Sequence, residues 1–342
     1  MQNKTQMAAE FREAPDIVRH QAEELTQPIA QLVGTLKRRT PQVVVTCARG
    51  SSAHAATFGK HLIERHLGIP VSAVAPNIAT VYRRRLQLKG QMFLAMSQAG
   101  RSDDIVESVV LAREAGALTA ALVNDTDSPL AKACDVVVPM LAGPELSVAA
   151  TKTFVASLAA LLRMAAVWTD DSAIKQALDR LPARLTSAAD LDWTAALPTL
   201  AAASNLMSIG RGPTLAVARE AALKLKETCG IHAEAFSGAE FQHGPIALVQ
   251  RDYPVILFMP TDAAAEGLKT LAMALIRKGA AVFTTGSHAG TPDALPTLEA
   301  DHPDADAVCL IQAFYGLVIQ AALRRGNNVD RPPHLQKVTR TR

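Results

Sequence analysis

Displacing the chain by 162 residues brings three segments of its second half onto three of its first, in order and without a gap. Residues 44–51 fall on 206–213, pairing Arg49-Gly50 with Arg211-Gly212. Residues 69–73 fall on 231–235, and 93–96 on 255–258; one residue further out of step, 117–124 falls near 280–287. Few identities survive, so the signal lies in the order and spacing of elements. A solenoid stacks several repeats, whereas two copies imply two similar domains packed together. A length of 342 residues accommodates two domains of ordinary size.

Each copy alternates short apolar runs with helical patterns. In the first, runs at 42–47, 70–74, 92–97, 118–123 and 135–139 enclose helical patterns at 52–66, 102–115 and 127–133. In the second, runs at 205–209, 231–235, 254–259 and 280–285 accompany helices at 214–229, 262–278 and 304–325. The runs are rich in Val, Ala and Leu without polar alternation, which suits strands of a parallel sheet covered on both faces. The expected fold class is therefore α/β, with two tandem domains, each a doubly wound parallel sheet flanked by helices. The expected organisation is a helical lead-in over 1–35, a first domain over 36–175, a second over 195–330 and a tail over 331–342. A helical segment at 147–190 joins the halves.

The charge balance excludes several partners. With 35 basic and 32 acidic side chains the net charge is +3, without the basic excess of a nucleic-acid binder. Aromatics are only 4% of the residues, too few for base-stacking platforms. The four cysteines lie far apart with no C-x-x-C pair, so no disulfide framework is expected. The nine histidines show no H-E-x-x-H spacing, so no dedicated metal site is expected. Met1-Gln2-Asn3-Lys4 leads into a polar helical segment and not an apolar signal core. The longest apolar stretch, 154–168, is broken by Arg163 and short for a membrane span, and reads as a buried or interface helix. These features predict a soluble, cytoplasmic protein.

Ligands of doubly wound sheets sit beyond the carboxyl ends of the strands, at helix N-termini. Arg49-Gly50-Ser51-Ser52 follows the first strand, and Ser97-Gln98-Ala99-Gly100-Arg101-Ser102 follows the third. Gly and hydroxyl residues at such turns suit an anion held by backbone N–H groups and the helix dipole. Ordinary capping, with Ser102 as N-cap, is the competing reading. No nucleotide cradle motif is present. In the second copy, Glu220, Lys224 and Glu227 fall at steps of four and three on one helix face. Such a pattern is commonly a solvated ladder, but the surrounding Ala and Leu favour burial, and a lysine-steadied carboxylate can move protons at neutral pH. His243 precedes Gly-Pro in a ligand-facing loop, and the tail at 330–339 carries two prolines.

Taken in order, GSSAH, SQAGRSDD, AGPELSVAATKTF, ALKLKE, IHAEAF…GAEFQHGP and the tail D-x-P…L-x-K resemble the sugar isomerase (SIS) domain family. Within it, the resemblance is to the isomerase half of glucosamine-6-phosphate synthase and to stand-alone SIS-type glucosamine-6-phosphate deaminases. It covers residues 40–340 and implies two SIS domains binding a sugar phosphate. It assigns Ser51, Ser52, Ser97, Gln98, Gly100, Arg101, Ser102, Glu145 and Lys152 to substrate binding. It assigns Glu227 to proton transfer between C1 and C2, and Lys224 to the position beside it. His243 is assigned to ring opening from a neighbouring subunit, and Lys337 to a tail that closes over the site. A homodimer with a composite site follows from the same resemblance. Departures fall at Ala99, Arg101, Ala150 and Pro333-His334, where Arg101 offers a new charged donor.

The resemblance further implies glucosamine-6-phosphate deaminase activity: glucosamine 6-phosphate and water give fructose 6-phosphate and ammonia, with no metal or other cofactor expected. Only about 40 residues precede the first sheet, which leaves no room for the synthase's glutaminase domain and favours ammonia release as the expected direction. The rival readings are the same chemistry on galactosamine 6-phosphate or a fructosamine 6-phosphate, a ketose/aldose isomerase without nitrogen chemistry, and a sugar-phosphate sensor without turnover.

Overall fold

The computed structural model describes residues 5–286 and 293–337. Ser287 of the repeat, and the tail beyond Lys337, lie outside the described residues. The chain forms two units, each built on one five-stranded, wholly parallel sheet.

The first-sheet unit comprises Asp16–Glu145, Lys152–Asp179 and the chain from Gln336. Its strands are β1 (Val44–Ala48), β2 (Val71–Ala73), β3 (Met92–Ser97), β4 (Leu118–Val123) and β5 (Val136–Pro139). They lie in the order β2-β1-β3-β4-β5. The order therefore reverses between β1 and β3, and the loops leaving these two strands flank the switch point where such sheets hold ligands. Residues 44–47 and 92–96 are buried without alternation, as expected of strands covered on both faces. Ile105 and Val109 of the helix Asp103–Glu114 pack with Val45, Cys47, Phe93, Ala95 and Ala121.

On the other face, the helix Gly50–Leu67 packs against the helix Lys152–Thr169. Gly59 makes the close approach feasible: a Cβ there would lie 3.3 Å from Leu161 Cδ2. The apolar helix is thus consumed by its own unit, and no partner chain is needed to explain it. Arg163, which interrupts the run, donates from Nη2 to Val18 O at 2.8 Å. Burial draws its guanidinium pKa down.

The second-sheet unit comprises the residues up to Pro15, Leu146–Thr151 and Arg180–Leu335. Its strands are β6 (Asn205–Gly210), β7 (His232–Ser237), β8 (Pro254–Leu257), β9 (Ala281–Thr285) and β10 (Asp293–Leu295), in the order β10-β9-β8-β6-β7. Strands β6 to β10 hold the places that β1 to β5 hold in the first sheet, so the 162-residue displacement is a true topological repeat. β10, too short to register as an apolar run, completes it beside β9. Phe258 meets Phe314 of the long helix Pro303–Arg324 edge-on at 5.8 Å between ring centroids. The helices Lys152–Thr169 and Pro303–Arg324 are long and apolar enough to cross a membrane, yet both are 83% buried within the fold, as core helices are.

The lead-in is fastened in place. Asp330 accepts from Gln6 N at 2.9 Å and Met7 N at 2.8 Å, capping the helix Gln6–Glu10. The fully buried Glu10 accepts from Leu146 N, Ser147 N and Ser147 Oγ, and Val148 N donates to Asp330 O. One carboxylate therefore anchors the segment after Glu145, and another the root of the C-terminal tail.

Candidate functional site

In the first-sheet unit, the loops after β1 and β3 stand at the switch point with their helices behind them. The ladder of the helix Gly50–Leu67 begins with Ala53 N donating to Arg49 O at 3.2 Å. Gly50 adopts a left-handed φ of +52°, and nothing lies within 4 Å of where its Cβ would be, so the turn is open. Ser97 Oγ accepts from Gly100 N at 3.1 Å, folding the second loop back on itself. Gly100 has φ +62°, and a Cβ there would lie 2.2 Å from Ser128 Oγ, so only glycine fits.

The competing capping reading holds for position and not for the side chain. Ser102 is the N-cap of Asp103–Glu114, but its side chain makes no capping hydrogen bond. Neither Ser52 nor Ser102 has a side-chain hydrogen bond among the described residues, so both hydroxyls remain available to a ligand. Arg101 is drawn outward to Asp125, in the loop after β4, at 2.8 Å. Gln98 is half-buried, and its carbonyl accepts from Asn124 N.

Glu145, Lys152 and Lys337 come together in the same unit. Asn124 bonds Ala142 N and Gly143 O and so holds the turn that leads to Glu145. The buried Glu145 accepts from Thr153 N at 3.2 Å, Thr153 Oγ1 at 2.7 Å and Lys337 Nζ at 3.0 Å. Lys152, also buried, opens the helix that carries Thr153. The tail lysine is thus docked as an ion pair on the G-P-E loop, with Lys337 still about a quarter exposed.

In the second-sheet unit, the acid–lysine–acid pattern is buried, and the solvated-ladder reading fails. Lys224 Nζ lies 3.3 Å from Glu220 Oε1 and 2.5 Å from Glu227 Oε2. Glu220 and Lys224 are wholly buried, whereas the Glu227 side chain is 21% exposed. Burying one ammonium between two carboxylates is tolerable because each charge keeps an opposite partner within contact.

The helix expected over 214–229 is regular only through Thr214–Lys224 and closes in a π-helical turn, Leu225–Cys229, with Gly230 N donating to Leu225 O. The wider turn leaves carbonyls without helical partners, and side chains supply them. Arg325 Nε bonds Cys229 O at 2.7 Å, and Asn327 Nδ2 bonds Thr228 O at 2.8 Å. Glu227 sits in this turn and lines a cavity of about 980 Å³ with Leu223, Lys226, Cys229, Arg325 and His334. That volume is ample for a hexose phosphate. His243 is exposed behind the short helix Gly238–Phe241 and does not line this cavity.

Two residues at these sites escaped the sequence reading. Arg49 reaches Asp104 across the two first-sheet loops, a pairing 55 residues apart that no local spacing reveals. Glu10 anchors Ser147 from a segment that read only as a helical lead-in.

The cysteines are not nucleophiles. Burial pushes the thiols of Cys47, Cys134 and Cys309 up to about 12 and that of Cys229, at the cavity wall, to about 11. At pH 8 the thiolate fraction is then roughly one in a thousand or less. Iodoacetamide at pH 8 is expected to leave the native protein unlabelled and fully able to bind ligand, with all four thiols labelled only after unfolding. Mass spectrometry of the intact chain checks this.

A family model described as the SIS domain matches residues 39–167 and 199–302. The chain belongs to the SIS domain family. The two matched segments contain the two sheets, so this is a tandem SIS protein. The glutamine–fructose-6-phosphate aminotransferase [isomerizing] of Caulobacter vibrioides is 32% identical over 315 residues, covering 86% of this chain and 51% of that protein. That of Thermotoga maritima is 34% identical, covering 86% and 50%. The chain spans about half the length of the curated relatives it matches. Among solved structures, a protein of Silicibacter pomeroyi DSS-3, described provisionally as a phosphosugar isomerase, superposes with TM-score 0.91 at 41% identity, over 95% of this chain and all of that one. The SIS fold also superposes on the glucosamine-6-phosphate deaminase of Thermotoga maritima with TM-score 0.71 at 22% identity, over 96% of this chain and all of that one; this likeness is one of fold.

Proposed function

We propose that the chain is an SIS-type deaminase of an amino-sugar phosphate, with glucosamine 6-phosphate as substrate. The observation that carries the reading is Lys224, wholly buried between Glu220 and Glu227, with Glu227 alone reaching a cavity wall. A carboxylate in that position lies against an ammonium and has an exposed edge that can meet a substrate carbon, the placement a general base needs.

The proposed chemistry starts from the open-chain amino-aldose. Glu227 removes the C2 proton as the aldehyde oxygen takes up a proton, giving the enolamine. The same carboxyl returns a proton to C1, leaving the imine at C2. Water adds to that carbon, the C–N bond breaks, and ammonia leaves, so that glucosamine 6-phosphate and water become fructose 6-phosphate and ammonia. The C1 carbonyl absorbs the charge that develops at C2 in the first transfer, and the C2 nitrogen takes that part in the second. Ser52, Ser97, Gln98 and Ser102 are proposed to hold the phosphate, supported by the uncommitted hydroxyls of Ser52 and Ser102. Ser51, Gly100, Lys152 and Glu145 frame the same ligand, and Lys337 acts from its dock on Glu145. His243 opens the ring of a substrate held by a partner copy in a homodimer. Its exposure supports that placement.

The nitrogen step rests on the likeness of the SQ-x-GRSDD loop and the PPHLQKVT tail to those of stand-alone SIS deaminases. Parallel assays of ammonia release from glucosamine 6-phosphate and galactosamine 6-phosphate test the substrate. Faster release from the gluco epimer supports the proposal, and release from the galacto epimer alone replaces the substrate. Binding of both without ammonia makes the chain a sensor.

A further inference from the structure

The geometry points to Arg49 as a binding residue for the anionic end of the ligand, and to Asp104 as the positioning residue that aims it. The inference rests on the sugar-phosphate reading above and adds a cation to a pocket otherwise made of hydroxyls and backbone.

Arg49 occupies the junction between the β1 strand and the helix Gly50–Leu67, with extended backbone (φ −132°, ψ 157°). Its side chain crosses to the first turn of Asp103–Glu114, where Nε at 3.2 Å and Nη2 at 2.7 Å both reach Asp104 Oδ2. The carboxylate is itself immobilised: Asp104 is 2% exposed, and its Oδ1 accepts from Ile105 N at 2.9 Å. A guanidinium carries five donor hydrogens in a rigid fork. Two are spent on one oxygen, the Arg49 side chain is 53% exposed, and Nη1 has no hydrogen bond among the described residues. The free edge therefore stays at the junction of the two loops that flank the β1/β3 switch point. Arg101 is the other guanidinium of these loops, and Asp125 draws it one strand further out, beyond β4.

The second sheet supplies the control. At the equivalent point, Thr214 stands where the repeat places Ser52. Its hydroxyl donates to Phe258 O at 2.7 Å and accepts from Arg211 N at 3.0 Å, stapling the β6 loop to the β8 loop. The approach is tight: a Cβ on Gly210 would lie 2.3 Å from Thr214 O. That crevice is closed by its own residues. In the first sheet the Arg49–Asp104 pair takes over the stapling at the surface, and the Ser52 hydroxyl stays uncommitted. A phosphate monoester dianion suits this opening, since charge-assisted bonds from a planar fork recognise it well.

The test uses the full chain with R49Q, R49K and D104N. Titration calorimetry measures inorganic phosphate and glucosamine 6-phosphate, and fructose, an uncharged sugar without phosphate, serves as the neutral ligand. R49Q is expected to weaken both phosphorylated ligands about ten- to hundredfold, and R49K by less. D104N should fall between wild type and R49Q, with the kinetic loss falling on KM more than on kcat. The neutral sugar should bind all variants alike. Unchanged phosphate affinity in folded R49Q overturns the inference, as does equal weakening of the neutral sugar. If R49Q does not fold, R49K and D104N decide by the same criteria. Phosphate affinity needs no turnover, so a wild type that binds phosphate through Arg49 yet releases no ammonia upholds this inference while the deaminase reading falls.

Discussion

Replacing Glu227 by Gln is expected to lower ammonia release by about 10²–10⁴-fold, the share that positioned proton transfer contributes. Sugar-phosphate affinity should stay near wild type. The separation has a structural basis. Glutamine keeps the shape at the cavity wall, and Lys224 retains Glu220 at 3.3 Å, so the buried lysine is not stranded. The proposed phosphate contacts lie on the loops after β1 and β3, outside the helix that changes. Calorimetric affinity and turnover on the same sample check the prediction, and near-normal turnover would remove Glu227 from the proton-transfer step.

Lys224→Met is expected to act on stability first. It removes the ammonium that faces two carboxylates, with Glu220 wholly buried. Breaking a buried ionic cluster from one side costs about 3–5 kcal/mol. With two units in the chain, thermal unfolding need not be two-state, so the effect is read as a downward shift of the transition that includes the second sheet. The double variant K224M/E220Q should recover part of the loss, because a neutral pair replaces an uncompensated charge. A single variant that melts with wild type would contradict the buried, ionic reading of this cluster.

The duplication and the strand–helix alternation of both sheets were legible because the spacing of elements survives duplication when identities do not. Val44 opens β1 and its counterpart Leu206 is the second residue of β6, while Met92 and its counterpart Pro254 open β3 and β8. β10 was missed because three residues at a sheet edge, Asp293–Leu295, leave no apolar run. The Glu220–Lys224–Glu227 contacts followed from helical spacing, and their burial from the flanking Ala and Leu. The π-helical turn did not follow, because it depends on Arg325 and Asn327, about a hundred residues away, to satisfy the carbonyls it exposes. Ser102 stands at the N-cap, as the competing capping reading had it, but its side chain makes no capping bond. Arg49–Asp104 and Lys337–Glu145 join loops that are distant in sequence, and pairings of that kind are set by tertiary packing. The apolar run 154–168 identified a buried helix, and its own unit covers it.

The most direct test mixes the protein with glucosamine 6-phosphate and quantifies ammonia and fructose 6-phosphate in the same sample over time. The account predicts that both accumulate in equal amounts with wild type and that both fall together in E227Q. Fructose 6-phosphate interconverting with glucose 6-phosphate while no ammonia is released, or tight binding of the amino sugar with neither product, would contradict it.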